Sequence, residues 1–159
     1  KTTLLEKLIP RLTAQGLRIA MVKHAHHDFD IDKPGKDSYR LRQAGAQQML
    51  IASSKRQALM TENTTTHEPH LDELIRRLDL DATDLVLVEG FKHIPFPRIE
   101  LHRKVLGKTL LYPEDPGIIA VASDHLTDTG DLPAVDINDT DSIADFILKW
   151  LQAEYGEEK

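Results

Sequence analysis

Two short runs, Asp84-Leu-Val-Leu-Val-Glu89 and Ile118-Ile-Ala-Val-Ala122, are apolar at nearly every position rather than at every second one. Strands with one wet face alternate, so a continuous run marks a strand covered on both sides, the habit of mostly parallel sheets packed between helices. The intervening segments agree. Leu4, Leu5, Leu8, Ile9 and Leu12 share one helical face ahead of Gly16, with Pro10 expected to kink it. Leu71, Leu74, Ile75 and Leu78 repeat that spacing. So do Ile143, Phe146, Ile147, Trp150 and Leu151, behind a cap at Asp139 or Thr140. Further strands are expected over 17–23, 48–52, 57–61, 98–102 and 134–137, the second and third joined as a hairpin, with a short helix over 38–44. The expectation is one α/β domain over residues 1–159, three-layered, with a mostly parallel sheet. At 159 residues and 40% hydrophobic, the chain can fill one continuous core.

A parallel α/β domain ordinarily opens on a strand, and this sequence opens on a helix. Because the first residue is Lys, not Met, an upstream strand is expected to be missing from the sequence. What stands at the helix head, Lys1-Thr2-Thr3-Leu4, is the tail of the phosphate-binding pattern G-x-x-x-x-G-K-[ST]. In that role Lys1 reaches the β- and γ-phosphates and assists catalysis, the Thr2 hydroxyl binds Mg²⁺, and Thr3 joins them as a nucleotide-binding candidate. A rival reading is purely structural: Thr3-Leu-Leu-Glu6 fits a helix capping box. The glycines that would decide between the two are not in the sequence.

The second candidate element is the strand end Val88-Glu89-Gly90, since parallel sheets bind ligands at the carboxyl ends of their strands. Glu89 there can hold Mg²⁺, directly or through water, or polarise an attacking water, while Gly90 lets the backbone pass close to a phosphate. A third is the loop from His24 to Ser38, which follows a strand end and carries His24, His26 and His27 within four residues. Three histidines suit Zn²⁺ or Ni²⁺ by ligand type, but on a loop without a distant partner their geometry is unreadable. As a switch segment, the loop would offer Asp37 to the Mg²⁺ shell and Lys23, Lys36 or Arg40 to phosphate charge. As a plain polar loop, it would need Asp37 and Ser38 only to cap the short helix.

Composition narrows the classes. With 20 basic and 26 acidic residues the net charge is −6, which argues against general nucleic-acid or anionic-membrane binding, though a local basic patch is compatible. The absence of cysteine excludes disulfides and thiolate chemistry. No apolar run approaches the ~20 residues that span a bilayer. A cytoplasmic protein is expected.

The combination of Lys1-Thr-Thr-Leu4, Val22-Lys-His-Ala-His-His-Asp28, Asp32-Lys-Pro-Gly-Lys-Asp-Ser38, Leu87-Val-Glu-Gly-Phe-Lys-His93 and Ile119-Ala-Val-Ala-Ser-Asp124 resembles the MobB family of molybdopterin-guanine dinucleotide biosynthesis adapter proteins, over nearly the whole chain. The resemblance implies a P-loop GTP-binding fold lacking here its first strand and glycine-rich loop, with GTP and Mg²⁺ as cofactors. It also implies weak GTP hydrolysis, a homodimer, and partnership with a MobA-type guanylyltransferase that attaches GMP to molybdopterin. Molybdopterin and its other biosynthetic proteins are further candidate partners. The family's lysine and threonine fall on Lys1 and Thr2, and its acidic strand end on Glu89. The guanine-reading Asn-Lys-x-Asp segment of many GTP-binding proteins is absent, so Asp124, behind an apolar strand, is the candidate acceptor for the guanine N1 and N2 protons. Two other functions stay open. Val88-Glu89-Gly90 also resembles ATP-dependent kinases or ligases of the dethiobiotin-synthetase type, and the histidines suggest a GTP-dependent metallochaperone.

Overall fold

The computed structural model describes residues 1–25, 29–64, 67–125 and 128–156. The elements follow in the order α1 (Thr2–Ala14), β1 (Ile19–Lys23), α2 (Asp37–Gln43), β2 (Gln48–Ala52), β3 (Gln57–Thr61), α3 (Leu71–Ile75), β4 (Leu85–Glu89), β5 (Arg98–His102), a single 3₁₀ turn (Lys104–Leu106), β6 (Ile118–Ser123), β7 (Ala134–Asp136) and α4 (Thr140–Tyr155). The α/β, mostly parallel arrangement is as expected. β1 pairs with β4 in parallel, and β5, β6 and β7 form a second parallel ladder with β6 in the middle. Among the described residues only the β2–β3 hairpin is antiparallel, with Leu50 opposite Leu59.

Alternation along β1 and β4 separates two cores. Leu85 and Ile19 join Ile99, Leu101 and Ala122 beneath α1 and α4, where Leu8, Leu12, Ile143 and Ile147 are buried. Val22, Val86 and Val88 face the other way, onto Leu71 and Ile75 of α3 and onto Phe91. Helices therefore cover both faces of the sheet, which is why β4 and β6 read as continuous apolar runs.

Three departures from expectation have local causes. β1 starts at Ile19 rather than Leu17, because the Arg18 guanidinium and N–H close a fork on the Asp84 carboxylate (2.8–2.9 Å) that pins the strand's entry. That carboxylate holds the Arg18 guanidinium above its ordinary pKa. α3 ends at Ile75 instead of reaching Leu78, and the chain turns over the next residues. Finally, the parallel strands form two ladders, not one sheet. Between β4 and β5 lies a cleft of about 1820 Å³, lined by both strands along their length and by Leu5, Leu8, Leu71 and Ile75. Pro10 sits inside an uninterrupted α1.

Candidate functional site

At the head of α1, Lys1 occupies the capping position and Thr2 and Thr3 form the first turn, with no side-chain cap bond. The capping-box alternative for Thr3 is thereby overturned: Thr3 lies inside the helix, where its hydroxyl is not needed to terminate it. The backbone N–H groups of Leu4 and Leu5 bond to the Lys1 carbonyl (2.9 and 3.0 Å).

Lys1 borders the β4–β5 cleft, and so do Glu89 and Gly90, so two candidate segments far apart in the sequence line the same cleft. The pairing of β1 with β4 places Lys23 opposite Glu89. Their charged groups sit 3.5 Å apart, the carboxylate largely covered and the ammonium largely in water. The register continues past the strands, where the His24 N–H donates to the Glu89 carbonyl at 2.8 Å.

Glycine is required just beyond. Gly90 has φ +108°, and a Cβ there would stand 2.6 Å from the His24 Cβ. Phe91 follows at φ 54°, a left-handed backbone that a bulky residue adopts only when its surroundings enforce it. Here the enforcement is burial of Phe91 in the α3 core and the His24 ring packed against it, tilted, at 5.0 Å between centroids. Backbone held against its preference at a strand's carboxyl end is a mark of a site. The His24 Nε2 lies 2.7 Å from the Glu68 carboxylate, so this histidine is occupied by protein partners. The other two members of the histidine cluster, His26 and His27, lie outside the described residues.

Asp37 and Asp124 are not among the residues that line this cleft. Asp37 is the exposed first residue of α2, and α2 has no side-chain cap, so neither Asp37 nor Ser38 caps it. Asp124 follows β6. Its Oδ1 accepts the Lys104 N–H at 2.9 Å and its Oδ2 stands 3.6 Å from Arg103. Those two neighbours, the N–H foremost, hold its carboxyl below the usual range. A guanine would have to use its remaining lone pairs.

Among the described residues no cluster of three or more histidine and carboxylate groups is arranged to hold a metal ion. Mg²⁺ does not need one: it commonly takes one or two protein oxygens and completes its shell with water and substrate phosphates. Glu89 at the cleft rim and a hydroxyl at the helix head are donors of the right kind.

Residues 1–124 match the family model described as Molybdopterin guanine dinucleotide synthesis protein B. The chain belongs to the MobB family. A molybdopterin-guanine dinucleotide biosynthesis adapter protein of Escherichia coli (strain K12) is 49% identical over 160 residues, spanning 98% of this chain and 89% of that protein. Its Haemophilus influenzae namesake is 47% identical over 157 residues, 98% of this chain and 85% of its own length. Among MobB structures, a crystal structure of molybdopterin-guanine biosynthesis protein B superposes with TM-score 0.74 at 29% identity, covering 95% of this chain and 90% of that one. Bacillus subtilis MobB has the same fold, with TM-score 0.70 at 24% identity over 96% and 91%.

Sequence reasoning missed the Arg42 cluster described below and the conformation of Phe91. Asp30 and Asp32 alternate with Phe29 and Ile31, a period-two signal that was readable. That Arg42 and Glu62 join them was not.

Proposed function

We propose that this chain is a GTP-binding adapter in molybdopterin-guanine dinucleotide biosynthesis, acting in the cytoplasm beside a MobA-type guanylyltransferase, with weak GTP hydrolysis of its own. The observation that carries it is that Lys1, Glu89 and Gly90 border the same cleft, with Lys23 paired to Glu89. The names of its relatives at 47–49% identity support the pathway. A nucleoside triphosphate at this rim would meet the Lys1 ammonium at its β- and γ-phosphates and the exposed N–H groups of the first turn of α1. Thr2 and Glu89 would hold Mg²⁺, with Asp37 able to join if its loop approaches. When bound, Mg²⁺ supplies charge neutralisation between phosphate oxygens. Lys23, paired with Glu89, would be released toward phosphate if the carboxylate held the cation, and glycine at position 90 lets the end of β4 pass close against His24.

In this reading the cleft between β4 and β5 receives a β-strand that leads through a glycine-rich loop into Lys1. Both flanking strands offer backbone groups to it. We further assign a homodimer to the hairpin, where Leu50 and Leu59 face each other across the strands at 60% and 58% exposure. An exposed antiparallel hairpin with apolar side chains is a template for association.

Calorimetric titration of the full natural chain with Mg·GTP tests the nucleotide site. Saturable binding is expected, with Lys1→Ala and Glu89→Gln each weakening it at least about tenfold. A wild-type protein that binds no GTP sinks the reading. Asp124→Ala is expected to narrow the preference for GTP over ATP, and an unchanged ratio removes Asp124 from base recognition.

A further inference from the structure

Between β1 and α2, residues 29–32 run Phe-Asp-Ile-Asp, and the structure turns that alternation the reverse way for a surface loop. Phe29 is 73% exposed and Ile31 67%. The Asp32 side chain is only 7% exposed, and Asp30, at 42%, is tied to the covered Arg42. Water expels apolar groups and solvates carboxylates, so an unconstrained loop would present the opposite set.

Specific bonds hold the inversion. Arg42 Nη2 donates to Asp30 Oδ1 at 2.7 Å and Nη1 to Glu62 Oε1 at 2.5 Å. The Asp32 N–H donates to Asp30 Oδ1, and Ser38 Oγ and the Lys33 N–H donate to Asp32 Oδ1, each at 3.0 Å. These pairs bind the loop to α2 and to the end of the hairpin. With Asp32 covered and Asp30 tied to Arg42, the loop shows water two large apolar side chains, followed by the exposed Lys33, Lys36 and Arg40 with Asp37 among them. A single exposed hydrophobic residue means little. Two neighbours fixed outward by a polar network have already met the ordering cost of binding, and one of them is aromatic.

We infer that Phe29 and Ile31 anchor a protein-docking surface whose partner presents an apolar pocket rimmed by acidic residues. A small anion would leave both anchors in water. An anionic bilayer is opposed by a net charge of −6 and would gain only two inserted side chains. A second copy related by a two-fold axis would set its own cationic rim against this one. The inference rests on the adapter reading, and it names the face with which the adapter meets the guanylyltransferase.

Purified guanylyltransferase titrated into the full natural chain at two salt concentrations tests it, with GTP affinity and molar mass measured in parallel. The double variant Phe29→Ser/Ile31→Ser is expected to bind the transferase at least about tenfold more weakly, with GTP affinity and mass unchanged. Lys33→Glu is expected to weaken binding several-fold and to flatten its salt dependence. Equal affinity of the double variant and the wild type overturns the surface and leaves the adapter reading standing. A fall in mass of the double variant assigns the face to self-association and overturns it too. A wild type that binds no transferase sinks both.

Discussion

Gly90 carries more constraint than any other single position at the site. Its φ of +108° and the 2.6 Å approach to the His24 Cβ leave no room for a methyl group. Gly90→Ala is therefore expected to cost more than about 1 kcal/mol of stability in urea unfolding. An unaltered midpoint would mean that β1 and β4 can part at their ends without penalty. Phe91 beside it shows why sequence alone falls short at this scale. The Glu-Gly pair at a strand end was readable as a site, because glycine there has few other uses. The left-handed backbone of Phe91 was not, since it depends on burial against α3 and on the His24 ring packed against it. Lys23 and Glu89 were each identified as candidates, yet their pairing follows from a register that only the folded sheet defines.

Helices α1 and α4 pack side by side on one face of the sheet, and Leu12 lies completely buried where they meet. Leu12→Ala is expected to cost about 2–5 kcal/mol, since the surrounding side chains cannot close the gap fully. Thermal or denaturant unfolding would read that loss directly. The start of α4 offers a pH-dependent counterpart. Asp139 accepts the N–H groups of Asp141 and Ser142 and the Ser142 hydroxyl. Ser142, through its hydroxyl first, holds the Asp139 carboxyl below its ordinary range. A depressed folded pKa stabilises above the unfolded value near 4 and ceases to do so as pH falls through the folded one. Asp139→Ala should thus lower the melting temperature at pH 7, and the difference from wild type should shrink as the pH falls below the ordinary carboxylate range. A difference independent of pH would show that the cap acts without its charge. Elements of this kind were largely legible: β2, β3 and β5 fall within the expected residues, as does the cap of α4. Their signals are local, resting on periodicity and capping chemistry. Like the start of β1, the end of α3 departs from expectation. Its apolar spacing runs to Leu78, but the helix stops three residues earlier.

Among the described residues, half of the exposed large apolar side chains sit on one module, and another group, Val105, Leu106 and Leu111, follows β5. The loop with Phe29 and Ile31, α2 with Leu41, and the hairpin with Leu50, Ile51 and Leu59 are joined through Arg42. If the hairpin forms the homodimer, Leu50→Lys/Leu59→Lys should halve the mass seen by light scattering at micromolar concentration while sparing GTP binding. A wild type that is already monomeric refutes the assignment. The cleft imposes a different kind of demand. It is walled by Leu5 and Leu8 of α1 on one side and by Leu71 and Ile75 of α3 on the other, and its flanking strands are five residues long. A strand seated there would have no wet face, so alternating polar residues would be rejected and a run of about five consecutive branched or aliphatic side chains admitted. Under the proposed reading, such a cleft would act as a sequence filter, its walls restricting the composition of a strand that filled it.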